Sequence, residues 1–401
     1  MARRQTLGGL LVAGVALLAG CSEARSTRSL VIWHPWGGAE LTALRQAIAR
    51  YRESHPGLDI VSLPVPSDKL QDKYLRSTAA NGGPDLVIGA TDWIGKLAQS
   101  EVIAPLEDAL DEETRGRIRP FALDALRYQG HLYAIPESLE TVALYYNKRL
   151  VTQLPRSLAE LTIRANSRDY WKGDFLLAYN TQFYFSAGYL FGRGAALLGQ
   201  GDDVRVDSPE AVRWLTWLRD LKANPAIAAK SDYGRADGLF RDGKAAMTVN
   251  GMWALRDYQA ALGKDLGVAT LPEVEPGRPA SPFVGIKCVM INPNGGRSSV
   301  EKALEFARFL ISPGVARLMM DVAGHVPVVR DVAFSDSDVL APFARQAEVG
   351  TALPAAPEMR EVWGPMDQAI EKVMTDVASP DVAIREAQSV IAAKIEAVRN
   401  P

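Results

Sequence analysis

Apolar positions along this chain alternate between short continuous runs and stripes at three- and four-residue spacing. Leu30-Val31-Ile32-Trp33 reads as a buried strand, and Leu41, Leu44, Ile48 and Tyr51 then recur along one face of a helix. His55-Pro56-Gly57 ends that helix, because proline has no N–H to continue the ladder. A strand over 58–65, a helix around 68–80 and a strand over 85–88 follow. Strands that alternate with helices predict parallel βαβ units in an open α/β sheet.

A second series begins with strands over 132–135 and 141–146 and continues through a helix near 155–167, a strand over 175–179 and a long helix over 208–224. In that helix Trp214, Leu218 and Leu221 share a face with Trp217, which predicts core packing. Strands over 245–249 and 267–270 precede a proline-rich stretch, 272–282, and a strand over 284–291. The C-terminal quarter predicts helices over 301–311, 358–377 and 382–398. No solenoid-type repeat and no long linker separates the two series, so two lobes would have to share strands and exchange chain.

The length of 401 residues suits two or three domains. Forty-five Lys and Arg against 47 Asp and Glu give a net charge of −2, which offers no basic field for nucleic acid or for an anionic membrane surface. Cys21 and Cys288 form no CxxC, and His34, His55, His131 and His325 lie far apart without an HExxH, so zinc and dithiol chemistry are not expected. No cofactor is implied.

The N-terminus carries an export signal. Arg3-Arg4 precede an apolar stretch from Leu7 to Gly20, shorter than the roughly 20 residues that a membrane-spanning helix needs. It ends in Leu18-Ala19-Gly20-Cys21, a lipobox-like pattern whose cysteine thiol can take a diacylglyceryl group. The expected mature protein starts at an acylated Cys21, with residues 21–29 as a polar tether, and is exported and anchored at the periplasmic or extracellular face.

Most motif matches fail on spacing. Five residues separate Gly89 from Gly95-Lys96, and Leu97 stands where a phosphate loop needs Ser or Thr. Ser299-Val300-Glu301-Lys302 fits S-x-x-K without a KTG partner and reads as a helix start with Ser299 capping. Asp202, Asp203 and Asp207 lack calcium-loop spacing. The carboxylates Glu137 and Glu140 flank a strand-to-strand crossing, and Asp92 follows a strand end, where open α/β sheets bind ligands. Such groups could hydrolyse a glycoside as acid and base, or simply accept hydrogen bonds from sugar hydroxyls. Trp36, Trp93 and Trp253 also follow strands and Trp363 lies in a late helix, so flat apolar faces accompany the carboxylates.

Six segments, taken in order, resemble the family-1 extracellular solute-binding proteins of ABC importers, in particular the maltose/maltodextrin-binding branch. They are Val31-Ile32-Trp33, Gly83-Pro84-Asp85-Leu86, Leu144 to Lys148, Ala246 to Trp253, Pro282-Phe283-Val284-Gly285, and Pro357-Glu358-Met359 to Trp363. The resemblance implies two α/β lobes with mixed sheets, joined by three hinge crossovers near 138–142, 283–285 and 324–328, with ligand in the cleft between them. It divides the chain into an N-terminal lobe, 30–138 plus 284–325, and a C-terminal lobe, 139–283 plus 326–401. It further implies a monomeric, non-catalytic receptor that passes an oligosaccharide or disaccharide to permease subunits. Asp92 and Glu140 would accept hydroxyl donors, Tyr184 would pack on a ring, and Trp253 and Trp363 would be stacking platforms. Trp36, Glu40, Trp93 and Gln182 complete the expected contacts at positions that depart from the maltodextrin pattern. Gly89 replaces a tryptophan, Trp93 an arginine, Gln182 a glutamate and Gly364 an aromatic, so a sugar such as trehalose stays open beside maltose. A surface glycosidase using Glu137, Glu140 or Asp92, and a receptor for other proteins, are the rival readings.

Overall fold

Alternate residues of β1 (Ser29–His34) are buried, with Leu30, Ile32 and His34 inward, in a computed structural model that describes residues 29–197, 204–333 and 339–399. β1 pairs in parallel with β2 (Asp59–Pro64) and with β3 (Leu86–Ala90), the arrangement that the crossover helices Gly38–Ser54 and Ser67–Ala79 require. The chain continues through β4 (Ile135–Glu140), β5 (Val142–Asn147), β6 (Phe175–Asn180), β7 (Ile227–Lys230), β8 (Ala245–Gly251), β9 (Leu266–Ala269), β10 (Phe283–Ile291), β11 (Val326–Pro327) and β12 (Thr351–Ala352). The first sheet has the order β11-β4-β10-β3-β1-β2, with β12 beside β10, and the second has the order β9-β5-β8-β6-β7. Both are mixed: β10 runs antiparallel to β3 and β4, and β8 runs antiparallel to β5 but parallel to β6.

β4 lies in the first sheet and β5 in the second, with only Thr141 between them. Thr141 donates its hydroxyl to the Phe283 carbonyl at 2.8 Å, and Glu140 pairs in register with Gly285, so the first two passages run side by side. β11 brings the third passage against β4 through Val326 and Leu139. Each sheet has its own core. Ile32, Leu86, Val289 and Phe306 lie in the first, Leu177, Trp214, Phe283 and Ile370 in the second, and Trp253 packs against both. Among the described residues no helix is long and apolar enough to cross a membrane. Residues 1–28, with Cys21 and the expected signal, lie outside the described residues.

The strand series follows the sequence pattern closely, and three departures have local causes. The helix expected near 155–167 spans Leu158–Ala165, because the Ser157 hydroxyl caps it by accepting the Glu160 N–H at 3.3 Å. The helix Phe183–Phe191 gives no stripe because nearly every residue in it is buried; its Gly188 face meets Pro282, with a methyl at that position only 3.0 Å away. Ser299 does not cap: its helix, Gly296–Leu310, begins earlier, and the hydroxyl donates instead to Asp85. Asp85 also accepts the Val31 N–H at 2.7 Å, which fixes the head of β3 against β1. Asp85→Ala is therefore expected to destabilise by about 1–3 kcal/mol, the cost of a buried donor left unpaired, and chemical denaturation measures it directly.

Candidate functional site

The site is assembled at the C-terminal ends of strands in both sheets, where open sheets expose backbone and turn into helices. β3 runs into the single turn Thr91–Trp93 and β8 into the single turn Met252–Ala254. Each turn follows a glycine that an indole covers. A methyl on Gly89 would lie 2.4 Å from the Trp93 ring, and one on Gly251 would lie 2.0 Å from that of Trp253. The absence of a side chain at these positions lets each tryptophan fold back over its own strand. At position 89, where the maltodextrin pattern has a tryptophan, the space is taken by the Trp93 indole arriving from four residues downstream.

The aromatic groups come together from distant segments. The Tyr184 ring lies 6.1 Å from Trp253, 6.2 Å from Trp363 and 6.2 Å from Phe283, on which it stacks nearly parallel. The Phe183 N–H donates to Asp367 at 2.7 Å, which locks the helix carrying Tyr184 to the helix Met359–Met374 carrying Trp363. Trp363 Nε1 donates to Asp92 Oδ2 at 3.1 Å, so a side chain packed on the second core reaches one at the end of β3. Trp253 Nε1 is held in turn by the Tyr233 hydroxyl at 3.1 Å.

Carboxylates line this wall in two different electrostatic settings. Burial raises the Asp92 carboxyl to about 6, with Trp363 pulling the other way, and burial also raises that of Glu140. Glu40 goes in the opposite direction, to about 2: burial opposes its charge, but Lys287 and His325 outweigh it. Lys287 is ion-paired with Glu40, and His325 bonds Glu40 at 3.0 Å through Nε2 and Glu137 at 2.9 Å through Nδ1. The cations near the wall are thus engaged by Glu40 and Glu137. The Tyr184 hydroxyl, Trp36 Nε1, Ser138 Oγ and Glu137 Oε2 are buried polar atoms without a hydrogen-bond partner from the described residues, where most buried polar groups are paired with protein or ordered water.

Asp92, Tyr184, Trp253 and Trp363 are brought together as the sequence reading expected, and Glu140 is close enough to bias both Asp92 and Tyr184 electrostatically. The other expected contacts have protein partners. Trp36 is 1% exposed and stands edge-on to the His325 ring at 5.3 Å. Glu40 is held by its two cations, Trp93 is buried over Gly89, and Gln182 accepts from Asn180 at 2.8 Å. Sequence reasoning missed Lys287, His325 and Tyr233. For Lys287 a signal existed: a lone charge inside the otherwise apolar run Phe283–Ile291 demands a buried counter-ion. Cys288, next to it, is a buried free thiol. Among the described residues no cluster of His, Cys, Asp and Glu is arranged to hold a metal ion.

The close approach at Gly251 is testable. Gly251→Ala is expected to expel the Trp253 indole, shift the tryptophan emission spectrum and cost about 1–3 kcal/mol in a thermal melt, the usual scale of overpacking.

Known proteins resemble this chain over most of its length. The maltotriose-binding protein of Pyrococcus abyssi is 28% identical, over 88% of this chain and 79% of its own length. The galactooligosaccharide-binding protein of Bacillus subtilis is 26% identical, over 97% of this chain and 96% of its own. Among solved structures, the maltose/maltodextrin-binding domain MalE from Bdellovibrio bacteriovorus bound to maltotriose matches with a TM-score of 0.84 at 26% identity, covering 92% of this chain and 100% of that one. Residues 46–347 match the family model described as bacterial extracellular solute-binding protein, and the chain belongs to that family.

Proposed function

We propose that this protein captures a neutral oligosaccharide of the maltooligosaccharide type between two lobes and delivers it to the permease of an ABC importer. The observation that carries the reading is the wall of Tyr184, Trp253 and Trp363, built from three distant segments, with Asp92 bonded at its edge. Indole and phenol faces suit the C–H faces of pyranose rings, and carboxylates not held in an ion pair suit hydroxyl donors. The names of the similar proteins, which specify maltotriose and galactooligosaccharide, agree with a ligand of several sugar units.

The lobes in this reading are 30–138 plus 284–325 and 139–283 plus 326–401, hinged at the three passages, and sugar that touches both favours closure by its differential affinity. The receptor acts as a monomer and without catalysis. Incubation with maltodextrins and trehalose, followed by product analysis, is expected to return intact sugar; released glucose would support the glycosidase reading through Asp92 or Glu140.

Isothermal titration with maltotriose, maltodextrins, galactooligosaccharides and trehalose tests the ligand class. Trp253→Ala and Trp363→Ala are each expected to weaken binding about tenfold or more. Asp92→Ala is expected to cost roughly 1.5–3 kcal/mol by removing a charged acceptor. Since Asp92 ionises near pH 6, wild-type affinity should rise as pH passes upward through that value, and Asp92→Asn should lack the rise. Wild-type affinity in both tryptophan variants would refute the assignment.

The anchor rests on the lipobox-like Leu18-Ala19-Gly20-Cys21. Cys21→Ser is expected to move the protein from the membrane to the soluble fraction, or to leave an unprocessed precursor, and cell fractionation with mass spectrometry distinguishes these outcomes from unchanged membrane attachment.

A further inference from the structure

Four charged side chains meet beneath the aromatic wall, and each belongs to a different part of the chain. Glu137 lies on β4, just before the first passage, and Lys287 lies on β10, just after the second. His325 directly precedes β11 in the third passage, and Glu40 sits in the first turn of the helix Gly38–Ser54, behind the Trp36 loop. The imidazole touches all of the others: Nδ1 lies 2.9 Å from Glu137, Nε2 lies 3.0 Å from Glu40, and Lys287 Nζ stands 3.5 Å from the same Nε2.

Both ring nitrogens of His325 face carboxylate oxygens, which only accept, so each must carry a proton for both bonds to form. Charge balance favours the same. Glu40, Glu137, Lys287 and an imidazolium sum to zero, and Glu140 beside them only adds to the negative side, whereas a neutral imidazole deepens the buried net negative charge and turns one lone pair toward Glu40. The Trp36 ring packs edge-on to this imidazole, and Glu140 is three residues from Glu137 on the same strand.

We propose that His325 is a positioning residue for sugar capture: as an imidazolium it pins the three passages and the Trp36 loop together, and so sets where Glu140 and the aromatic wall meet the ligand. This inference rests on the oligosaccharide reading above and adds to it a residue that need not touch the sugar. Losing the second proton frees either Glu40 or Glu137, loosens the junction and weakens binding.

The groups facing His325 are Glu137 and Glu140 from β4, Glu40 from the first helix and Lys287 from β10. Burial and Lys287 act against its proton, but Glu137 and Glu40 outweigh them and hold it above the ordinary histidine value. The stability that it contributes is therefore complete below its unfolded value near 6.5 and is lost as pH rises through the raised one. Asp92 ionises below that window, near 6, and burial keeps His34 near 4. Lys287 is raised above its ordinary value and burial raises Cys288, so both titrate above the window.

The test is maltotriose affinity, read by tryptophan fluorescence on the full chain between pH 6.5 and 10, for wild type and His325→Gln. Wild-type affinity is expected to hold at the lower end and then to fall by up to about tenfold per pH unit, the signature of one linked proton. His325→Gln, with one donor group for two carboxylates, is expected to bind about tenfold more weakly with a flat alkaline profile. Should the variant fail to fold, the wild-type profile decides alone, with the ¹⁵N shifts of the imidazole reporting whether the same proton is lost over the same pH range. Binding that stays constant across the window, or an alkaline fall that survives in His325→Gln, overturns this proposal and leaves the sugar reading intact. A folded wild type that binds no oligosaccharide overturns the sugar reading and this inference with it.

Discussion

A chain that builds two sheets by passing back and forth must carry its backbone between two dry cores, and every peptide group on the way needs a partner. Here the passages satisfy one another. The Thr141 hydroxyl closes onto the Phe283 carbonyl at 2.8 Å, Glu140 is in register with Gly285, and the Leu353 N–H returns to the Val284 carbonyl at 2.9 Å. Because β4 and β10 are antiparallel neighbours, chain leaving the first sheet and chain entering it pass within a single strand spacing. That constraint places Glu140 and Lys287 on adjoining strands at the crossing, and the rest of the site is arranged around it.

The two sheets answer each other in the way they deliver side chains. β3 and β8 both end in one short turn, and in each an indole folds over a glycine in its own strand. Tryptophan is large and stiff for its area, so holding it against backbone fixes its orientation at little entropic cost. The Trp363 indole arrives differently, on a helix, and is aimed by its hydrogen bond to Asp92. The wall itself lies on the second core, and the Trp363–Asp92 bond ties it to the end of β3, so that link depends on how the sheets are set, and the passages determine that setting.

How much of this could be read in the sequence depended on whether the signal was local. Apolar runs such as Leu86 to Ile88 and Ala245 to Met247 are buried on both faces and so are visible without partners. Asp92, Trp253 and Trp363 were legible because each stands at a strand end or in a helix stripe. The helix Phe183–Phe191 was not, since burial on all sides erases the periodicity that reveals helices. Glu40 and Trp36 show the same limit at the level of side chains. Their position beside a glycine-rich loop marked them as candidate contacts, but it could not show that Lys287 and His325, about 250 and 290 residues downstream, would bind one and pack on the other.

The buried charges and the aromatic wall are adjacent without being the same thing, and the separation has a physical basis. In the oligosaccharide reading a carboxylate that receives sugar hydroxyls loses its value if a cation occupies it, and burial leaves Asp92 and Glu140 with raised affinity for protons. Carboxylates meant to fix the passages must keep their charge in a dry place, which only an ion pair with good geometry permits. Glu40 satisfies that second demand through Lys287 and His325, and its carboxyl falls to about 2. One crossing thus holds acidic groups on either side of the ordinary carboxylate range, Glu40 below it and Asp92 and Glu140 above.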